Sequence, residues 1–188
     1  MLAGLLLASP GCSKAVKGTG SETTGTAETT QTGSHMAGPA VEVHIPQAAV
    51  DKKPAPHNLK TPESAVRSYL AWVSYAYRIG DSQVATLTMS AEEEVRMDSY
   101  NQYNVQKGRL LDERLESIRF GTPSVGTTST LLPAEENWTY SYISVKEGNA
   151  RLAGPYTIKF ESTYTVVKNK QGDWVVDSVD AKALGKVK

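Results

Sequence analysis

Hydrophobic and polar residues alternate along the stretch 156–167, YTIKFESTYTVV. One set of alternate positions is apolar or aromatic and comprises Tyr156, Ile158, Phe160, Tyr164 and Val166. The other set is polar and comprises Thr157, Lys159, Glu161, Thr163 and Thr165. Because successive strand residues point to opposite faces, this pattern predicts a long antiparallel strand with one buried face and one solvated face.

The segments after Gly121 are also typical of β-structure, with predicted strands at 127–132, 138–145 and 174–179. A further strand is predicted before Gly121, at 115–120. The predicted turns, rich in Gly, Asn and charged residues, are 146–149 and 169–173. The last two strands therefore form a hairpin. A helix before residue 120 is an alternative prediction, because Leu111, Leu115 and Ile118 also have helical spacing.

Before these strands, apolar residues recur at spacings of three and four from Ala65 to Ile79. That period predicts an amphipathic helix. Thr61 is a favourable N-cap, Pro62 suits the first helical position, and Gly80 ends the pattern. The folded domain is therefore expected to begin at residue 61.

Two more helices are expected to follow. Asp81 is a predicted cap for a short helix over 83–89. Ser90 and Glu93 have the spacing of a capping box, S-x-x-E, which predicts a third helix that runs toward Lys107. Three helices followed by antiparallel strands predict an α+β fold, in which the helices pack on one face of the sheet.

The first twelve residues place a short apolar run, LAGLLLA, before the small residues SPG and the only cysteine, Cys12. This order resembles the signal peptide of a bacterial lipoprotein, in which the cysteine is lipidated. The run is too short to span a bilayer. The resemblance implies a signal peptide over 1–12, a lipid anchor at Cys12 and an extracytoplasmic location on a bacterial membrane. A free cysteine behind an apolar N-terminus is the alternative.

Residues 13–60 are rich in Thr, Gly, Ser and Pro. Such a segment cannot bury enough apolar surface to offset its ordering entropy, so a disordered tether is expected. A short alternation at 41–45, VEVHI, is compatible with an edge strand. Pro46, Pro54 and Pro56 favour extended tether instead.

Composition removes several classes of function. Acidic and basic residues balance at 20 each, so no net charge favours nucleic acid. A single cysteine excludes an internal disulfide and a cysteine-rich zinc site. No phosphate-binding loop, G-x-S-x-G elbow or H-E-x-x-H motif occurs, and the histidines (His35, His44 and His57) all precede the domain. No metal and no cofactor is therefore expected.

The order of elements, the capped helix TPESAVRSYLAW, the aromatic strand WTYSYIS and the hairpin ending DWVVDSV resemble the nuclear transport factor 2-like superfamily. The resemblance covers about 61–179 and implies a cone, in which helices pack on a strongly bent antiparallel sheet of four to six strands. The domain would then comprise 61–188. A cystatin-like sheet wrapped on a helix has a similar pattern and stays an alternative.

Enzymes of that superfamily hold a pocket between helices and sheet, and ketosteroid-isomerase-like members use a carboxylate with tyrosines. The resemblance nominates as pocket residues Tyr69, Trp72, Trp138, Tyr140, Tyr142, Phe160 and Tyr164. Asp177 joins them because it alternates with Val175 and Val179, which are expected to point inward. Asp98 and Asp112 are further candidate bases, although the run EEEVRMDSY around Asp98 is typical of a solvated helix face. Such aromatic residues are also compatible with an ordinary core.

Apart from Asp177, no acid is expected on an apolar strand face beside the tyrosines. The sequence therefore predicts a binding or assembly module of the bacterial cell envelope without catalytic activity, with a ketosteroid-isomerase-like enzyme as the alternative. The expected partners are the membrane, through the lipid anchor, and another envelope protein or a small ligand. The polar outer face of the strand 156–167 predicts a monomer or weak dimer, because stable interfaces are more apolar.

Overall fold

The computed structural model of the protein describes residues 53–186. The predicted lipidation site Cys12, the signal peptide 1–12 and the part of the predicted tether over 13–52, with its alternation at 41–45, lie outside the described residues. Between residues 53 and 186, no helix is both long enough and apolar enough to cross a membrane.

Helix α1 spans Pro62–Ile79 and begins at the predicted cap. The Thr61 hydroxyl accepts the Ser64 backbone N–H at 3.2 Å, and the Ser64 hydroxyl accepts the Thr61 backbone N–H at 3.0 Å. Gly80 ends the helix in a left-handed conformation at φ 71°, where a residue without Cβ costs least. The residues that α1 buries recur at the predicted spacing and include Ala65, Val66, Tyr69, Val73, Ala76 and Tyr77.

A 3-10 helix (Ser82–Thr88) and helix α2 (Ala91–Gln106) follow. The capping box predicted for α2 forms only in half. The Ser90 hydroxyl accepts the Glu93 backbone N–H at 3.4 Å, but the Glu93 side chain is buried in the core. The Ser90 backbone N–H donates instead to the carbonyl of Val176 on the sheet at 2.8 Å. A tertiary hydrogen bond therefore replaces the local one.

One antiparallel sheet contains all five strands. They are β1 (Arg109–Phe120), β2 (Ser124–Val125), β3 (Ser129–Ser144), β4 (Arg151–Lys168) and β5 (Trp174–Lys186). The order across the sheet is β1-β3-β4-β5, and the short β2 pairs with β3 beyond the end of β1. The helices pack against this sheet, which confirms the predicted α+β fold.

All four long strands differ from their predicted bounds; β4 begins at Arg151 and β5 continues to Lys186, and β1 and β3 differ further. The region before residue 120 is a strand from Arg109 onward, not a helix. The separate predictions at 127–132 and 138–145 belong to one strand, β3, which runs through Pro133. The missing N–H of Pro133 is tolerated because this residue faces the gap between β1 and β2, where its carbonyl accepts the Gly121 N–H at 2.9 Å.

The inner face of the sheet packs on the helices. On β4 the buried inner positions are Phe160, Ser162, Tyr164 and Val166. Their partners on β3 are also buried, and they are Glu136, Ala134, Leu132 and Thr130. The core lies between these two rows and α1. The alternation of the stretch 156–167 therefore identifies correctly which face is buried.

Residues 53–60 pack along α1 immediately before that helix begins, and we call this segment the strap. The Trp72 indole N–H donates to the Ala55 carbonyl at 3.2 Å, and the Trp72 ring stacks on His57 with ring centroids 4.4 Å apart. The Leu59 carbonyl accepts the Trp174 N–H of β5 at 3.0 Å. This part of the predicted tether is thus packed on the domain, because Trp72 offers it an aromatic surface.

Candidate functional site

The aromatic side chains nominated for a pocket are mostly core residues. Those that are at most 4% exposed and share one cluster are Tyr69, Trp138, Phe160 and Tyr164. Tyr140 and Tyr142 are half-buried near the end of β3, with ring centroids 6.0 Å apart. Trp72 contacts the strap. The space between helices and sheet for which the resemblance nominates a pocket is therefore occupied by these side chains.

A carboxylate lies among these aromatic residues. Glu136 on β3 is 0% exposed, and it accepts the Trp138 indole N–H at 2.6 Å and the Tyr164 hydroxyl. Burial raises the pKa of Tyr164 well above its usual value, and the negative charge of Glu136 raises it further. Tyr164 therefore stays protonated and acts as a hydrogen-bond donor.

A second carboxylate, Glu93 on α2, is 2% exposed and accepts the Tyr69 hydroxyl at 2.5 Å. The Arg96 guanidinium lies 3.1 Å from the other oxygen of Glu93, as an ion pair without hydrogen-bond geometry. Burial raises the pKa of Glu93, whereas the Tyr69 hydrogen bond and the charge of Arg96 lower it in part. Burial is the larger effect, so the net direction of the Glu93 pKa is upward.

Glu113 on β1 is the third buried carboxylate, at 4% exposure, and it accepts the Ser74 hydroxyl at 2.9 Å. After burial, its charge is the next cause that raises the pKa of Tyr77, and Glu93 contributes as well. The carboxylates therefore act on a common set of tyrosines. We call this set the Glu–Tyr network; its members are Glu93, Glu113, Glu136, Tyr69, Tyr77 and Tyr164.

The expectation that no acid other than Asp177 lies on an apolar strand face is wrong. Glu136 shares the inner face of β3 with Leu132 and Trp138, and Glu113 lies two residues after the buried Leu111. The signal was present in the alternation of both strands, because each glutamate occupies a position of the same parity as residues that must be buried. The charge of a glutamate, taken alone, predicts a side chain that faces solvent.

The other nominated acids do not join this network. Asp98 accepts the Ser82 hydroxyl, and Asp112 accepts the Arg78 guanidinium with a distance of 2.6 Å between Nε and the carboxylate oxygen. Within residues 53–186, no three side chains of the His, Cys, Asp or Glu types lie close enough together to hold a metal ion.

Asp177 occupies a bulge in β5, because the residues on either side of it, Val176 and Ser178, pair with adjacent residues of β4. The bulge shifts the alternation, so that Val176 instead of Val175 enters the main core. Asp177 is half-buried, and its charge contributes to the raised pKa of Glu93 after the effect of burial. The prediction that Asp177 points inward, made from its alternation with Val175, holds only for a strand without a bulge.

A groove of about 640 Å³ lies along the sheet where all four long strands are in register. One row of its lining is Arg119, Glu135, Glu161 and Lys182, which lie opposite one another on β1, β3, β4 and β5. The next row is Pro133, Thr163 and Asp180. Since these positions alternate with the buried inner rows, most of the groove is formed by the outer face of the sheet.

Charges of both signs line this outer-face groove. Lys159 at 3.2 Å and Arg119 at 2.6 Å donate to Glu135 and hold its pKa below the usual value. Glu161, Asp180 and Lys182 form no ion pair with another described residue. The groove therefore offers two carboxylates and one ammonium group to a ligand.

No protein-family model matches the chain, and no curated protein sequence matches it. The intermembrane space region of the chloroplast protein ARC6 superposes with a TM-score of 0.56 at 14% sequence identity, over 69% of this chain and 99% of that one. A conserved protein from Planctomyces limnophilus DSM 3776 superposes with a TM-score of 0.40 at 14% identity, over 64% and 97%. The first likeness shows a shared fold alone, and the second is too distant to carry an argument.

Proposed function

We propose that this protein is a lipid-anchored, extracytoplasmic binding or assembly module of the bacterial cell envelope, built on a nuclear transport factor 2-like domain without catalytic activity. One observation carries the proposal: the interior is filled while the outer face is recessed. Trp138 and Tyr164 occupy the space in which an enzyme of this shape would hold a substrate, and a charged groove opens on the other side of the sheet.

The size and charge of the groove suit a polar ligand. Its volume of about 640 Å³ is within the range of small-molecule and peptide sites. A partner with cations for Glu161 and Asp180 and an anion for Lys182 would match the unpaired charges. Because exposed ion pairs contribute little free energy, binding at this face is expected to be transient.

The lipid anchor at Cys12 is the second part of the proposal. It would hold the domain at a membrane surface and present the groove to other envelope proteins there. Stable attachment requires two or more acyl chains, which is the state that lipidation of a lipoprotein cysteine would have to produce.

Two variants of the full chain, expressed in bacterial cells, test the two parts separately. Cys12→Ser should move the protein from the membrane fraction to the soluble fraction. Glu161→Ala combined with Lys182→Ala should abolish crosslinking to the envelope partner, detected by mass spectrometry, without releasing the protein from the membrane. The matched control, Lys146→Ala with Glu147→Ala, removes the same charges from an exposed turn. Continued sedimentation of the first variant, or unchanged crosslinking of the second, would contradict the proposal.

A ketosteroid-isomerase-like enzyme is the second candidate, and the Glu93–Tyr69 pair favours it. A buried acid with a raised pKa beside a protonated tyrosine is suited to proton transfer at a carbon next to a carbonyl. Deuterium exchange at that carbon in enolisable ketones, followed by NMR, tests this reading. Equal exchange rates with the wild type and Glu93→Gln would eliminate it.

A further inference from the structure

The strap occupies a surface of α1 that has the properties of a peptide-binding site. The Trp72 indole N–H donates to the carbonyl of Ala55, the residue between Pro54 and Pro56. Residues before proline favour extended backbone, so this carbonyl is presented from an extended segment. An aromatic ring that binds such a segment through its N–H is the arrangement by which proteins recognise proline-rich peptides.

Strap residues before and after Ala55 also contact α1. The Lys53 ammonium lies 5.5 Å from the centroid of the Trp72 ring, and His57 stacks on the same ring. At the C-terminal end, the Asn58 backbone N–H donates to the Ser68 hydroxyl at 2.9 Å, and that hydroxyl donates to the Asn58 carbonyl at 3.2 Å. The strap therefore contacts this surface through a basic residue, the carbonyl between two prolines, a ring, and the backbone that follows.

The strap fits this surface incompletely. A crevice of about 260 Å³ remains between the strap and α1, lined by Pro54 and Pro56 on one side and by Arg67 and Ala71 on the other. The Nε2 atom of His57 is buried and makes no hydrogen bond with another described residue. A buried ring nitrogen without a partner is unfavourable. A ligand with an apolar ring at this position would avoid that cost.

We propose that the face of α1 around Trp72 is a binding site for an extended, proline-containing segment of another protein, and that the strap is an intramolecular ligand which this segment displaces. The preferred ligand has a basic residue, then Pro-x-Pro, then an apolar ring. This site lies on α1 and is separate from the outer-face groove, so the inference goes beyond the proposed function and does not depend on it.

The strap of a second copy is a poor source of the ligand. Only Thr61 lies between the strap and α1 of the same chain, and the Leu59 carbonyl of the strap is bound to β5. A strap exchanged between two copies would therefore bring two folded domains into the same space. A free segment of a partner protein has no such restriction.

The test uses the full chain with Cys12→Ser, labelled with ¹⁵N, and follows the indole N–H signals by NMR. The chain has three tryptophans, and Trp138, which lies in the buried core, is the internal control for folding. A second protein adds Pro54→Gly, Pro56→Gly and His57→Gly, which weakens the strap without altering Trp72. The probes are a synthetic peptide of residues 53–58, KPAPHN, the same peptide with both prolines replaced by glycine, and KPAPFN.

In the strap-weakened protein, KPAPHN should shift the Trp72 signal saturably, and KPAPFN should bind about fivefold more tightly because it buries no unpaired nitrogen. The unmodified strap competes with the peptide at an effective concentration in the millimolar range, so the protein that retains it should bind KPAPHN more weakly. Equal shifts with the glycine peptide, equal affinities of the two proteins, or no saturable shift while the Trp138 signal is retained would overturn the proposal. If the triple change shifts the Trp138 signal, Pro56→Gly alone is used with the same criteria.

Discussion

The Tyr164 hydroxyl on β4 donates to the carboxylate of Glu136 on β3, and both residues are 0% exposed. The Trp138 indole N–H donates to the other carboxylate oxygen at 2.6 Å. Among the described residues, no lysine, arginine or histidine lies within ion-pair distance of Glu136. Two uncharged donors therefore stabilise this acid inside the core, which makes the acid and its donors dependent on each other.

Replacement of Glu136 by leucine should lower the free energy of unfolding by about 3 kcal/mol, because it leaves two buried donors without an acceptor. Tyr164→Phe should cost about 2 kcal/mol, because Glu136 keeps only one donor. The double variant should cost about 1 to 2 kcal/mol less than the sum of the single changes. Urea unfolding followed by tryptophan fluorescence measures all three. Additive costs would mean that the two residues are not coupled.

The fold was largely accessible from the sequence because its signals are local. The cap at Thr61, the three-and-four spacing of α1 and the alternation of β4 each depend on neighbouring residues only. The length of β1 and the continuity of β3 through Pro133 depend instead on pairing with other strands. No local pattern carries that information.

Glu93 predicts a specific pH dependence of stability. Burial raises its pKa in the folded state above the usual value of 4.5, so the folded protein binds a proton more readily than the unfolded chain. The contribution of Glu93 is therefore fully present below pH 4.5 and is lost as the pH rises through the higher folded pKa. Relative to the wild type, Glu93→Gln should become progressively more stable across that window.

Urea unfolding of the wild type and Glu93→Gln at several pH values from 4 to 8 measures this difference. Glu147→Gln is the control, because this glutamate lies in the exposed turn between β3 and β4. A constant difference between Glu93→Gln and the wild type at all pH values would show that Glu93 does not titrate differently in the folded state.

Gly154 is required where β4 passes close to β3. Its φ is +97°, and an added Cβ would lie 2.9 Å from the Tyr140 carbonyl oxygen and 3.0 Å from the Ser141 Cα. Gly154→Ala should therefore destabilise the fold by roughly 3 kcal/mol, through both backbone strain and steric overlap. Gly172→Ala is a matched control, since Gly172 has φ +83° with open space around it, and its cost should be about 1 kcal/mol. Equal melting temperatures of the two variants would contradict the steric part of the argument.

The candidate sites were less accessible from the sequence than the fold. Glu93 occupies the position of a capping-box residue, so its local environment suggested a helix cap, and only the packing of α2 on Tyr69 makes it a buried acid. The bulge at Asp177 reverses the alternation of β5 at a point that has no sequence marker. The packing of the strap depends on its contact with Trp72. Helical spacing predicts that Trp72 lies on the same helix as the core residues, but it does not predict which segment Trp72 contacts.

The charge order across the outer-face groove predicts the oligomeric state. The row Arg119, Glu135, Glu161 and Lys182 is positive, negative, negative and positive. A two-fold pairing centred on this row places Arg119 opposite Lys182 and Glu135 opposite Glu161, or each residue opposite itself, so like charges meet in both arrangements. Light scattering on the Cys12→Ser chain should therefore give a monomer up to about 100 μM.

A charge-exchanged variant tests the same row. Glu161→Lys with Lys182→Glu makes the reversed row self-complementary, and this variant should associate more strongly at low salt than at high salt. A stable wild-type dimer, or a charge-exchanged variant that associates no more than the wild type, would show that this row does not control self-association.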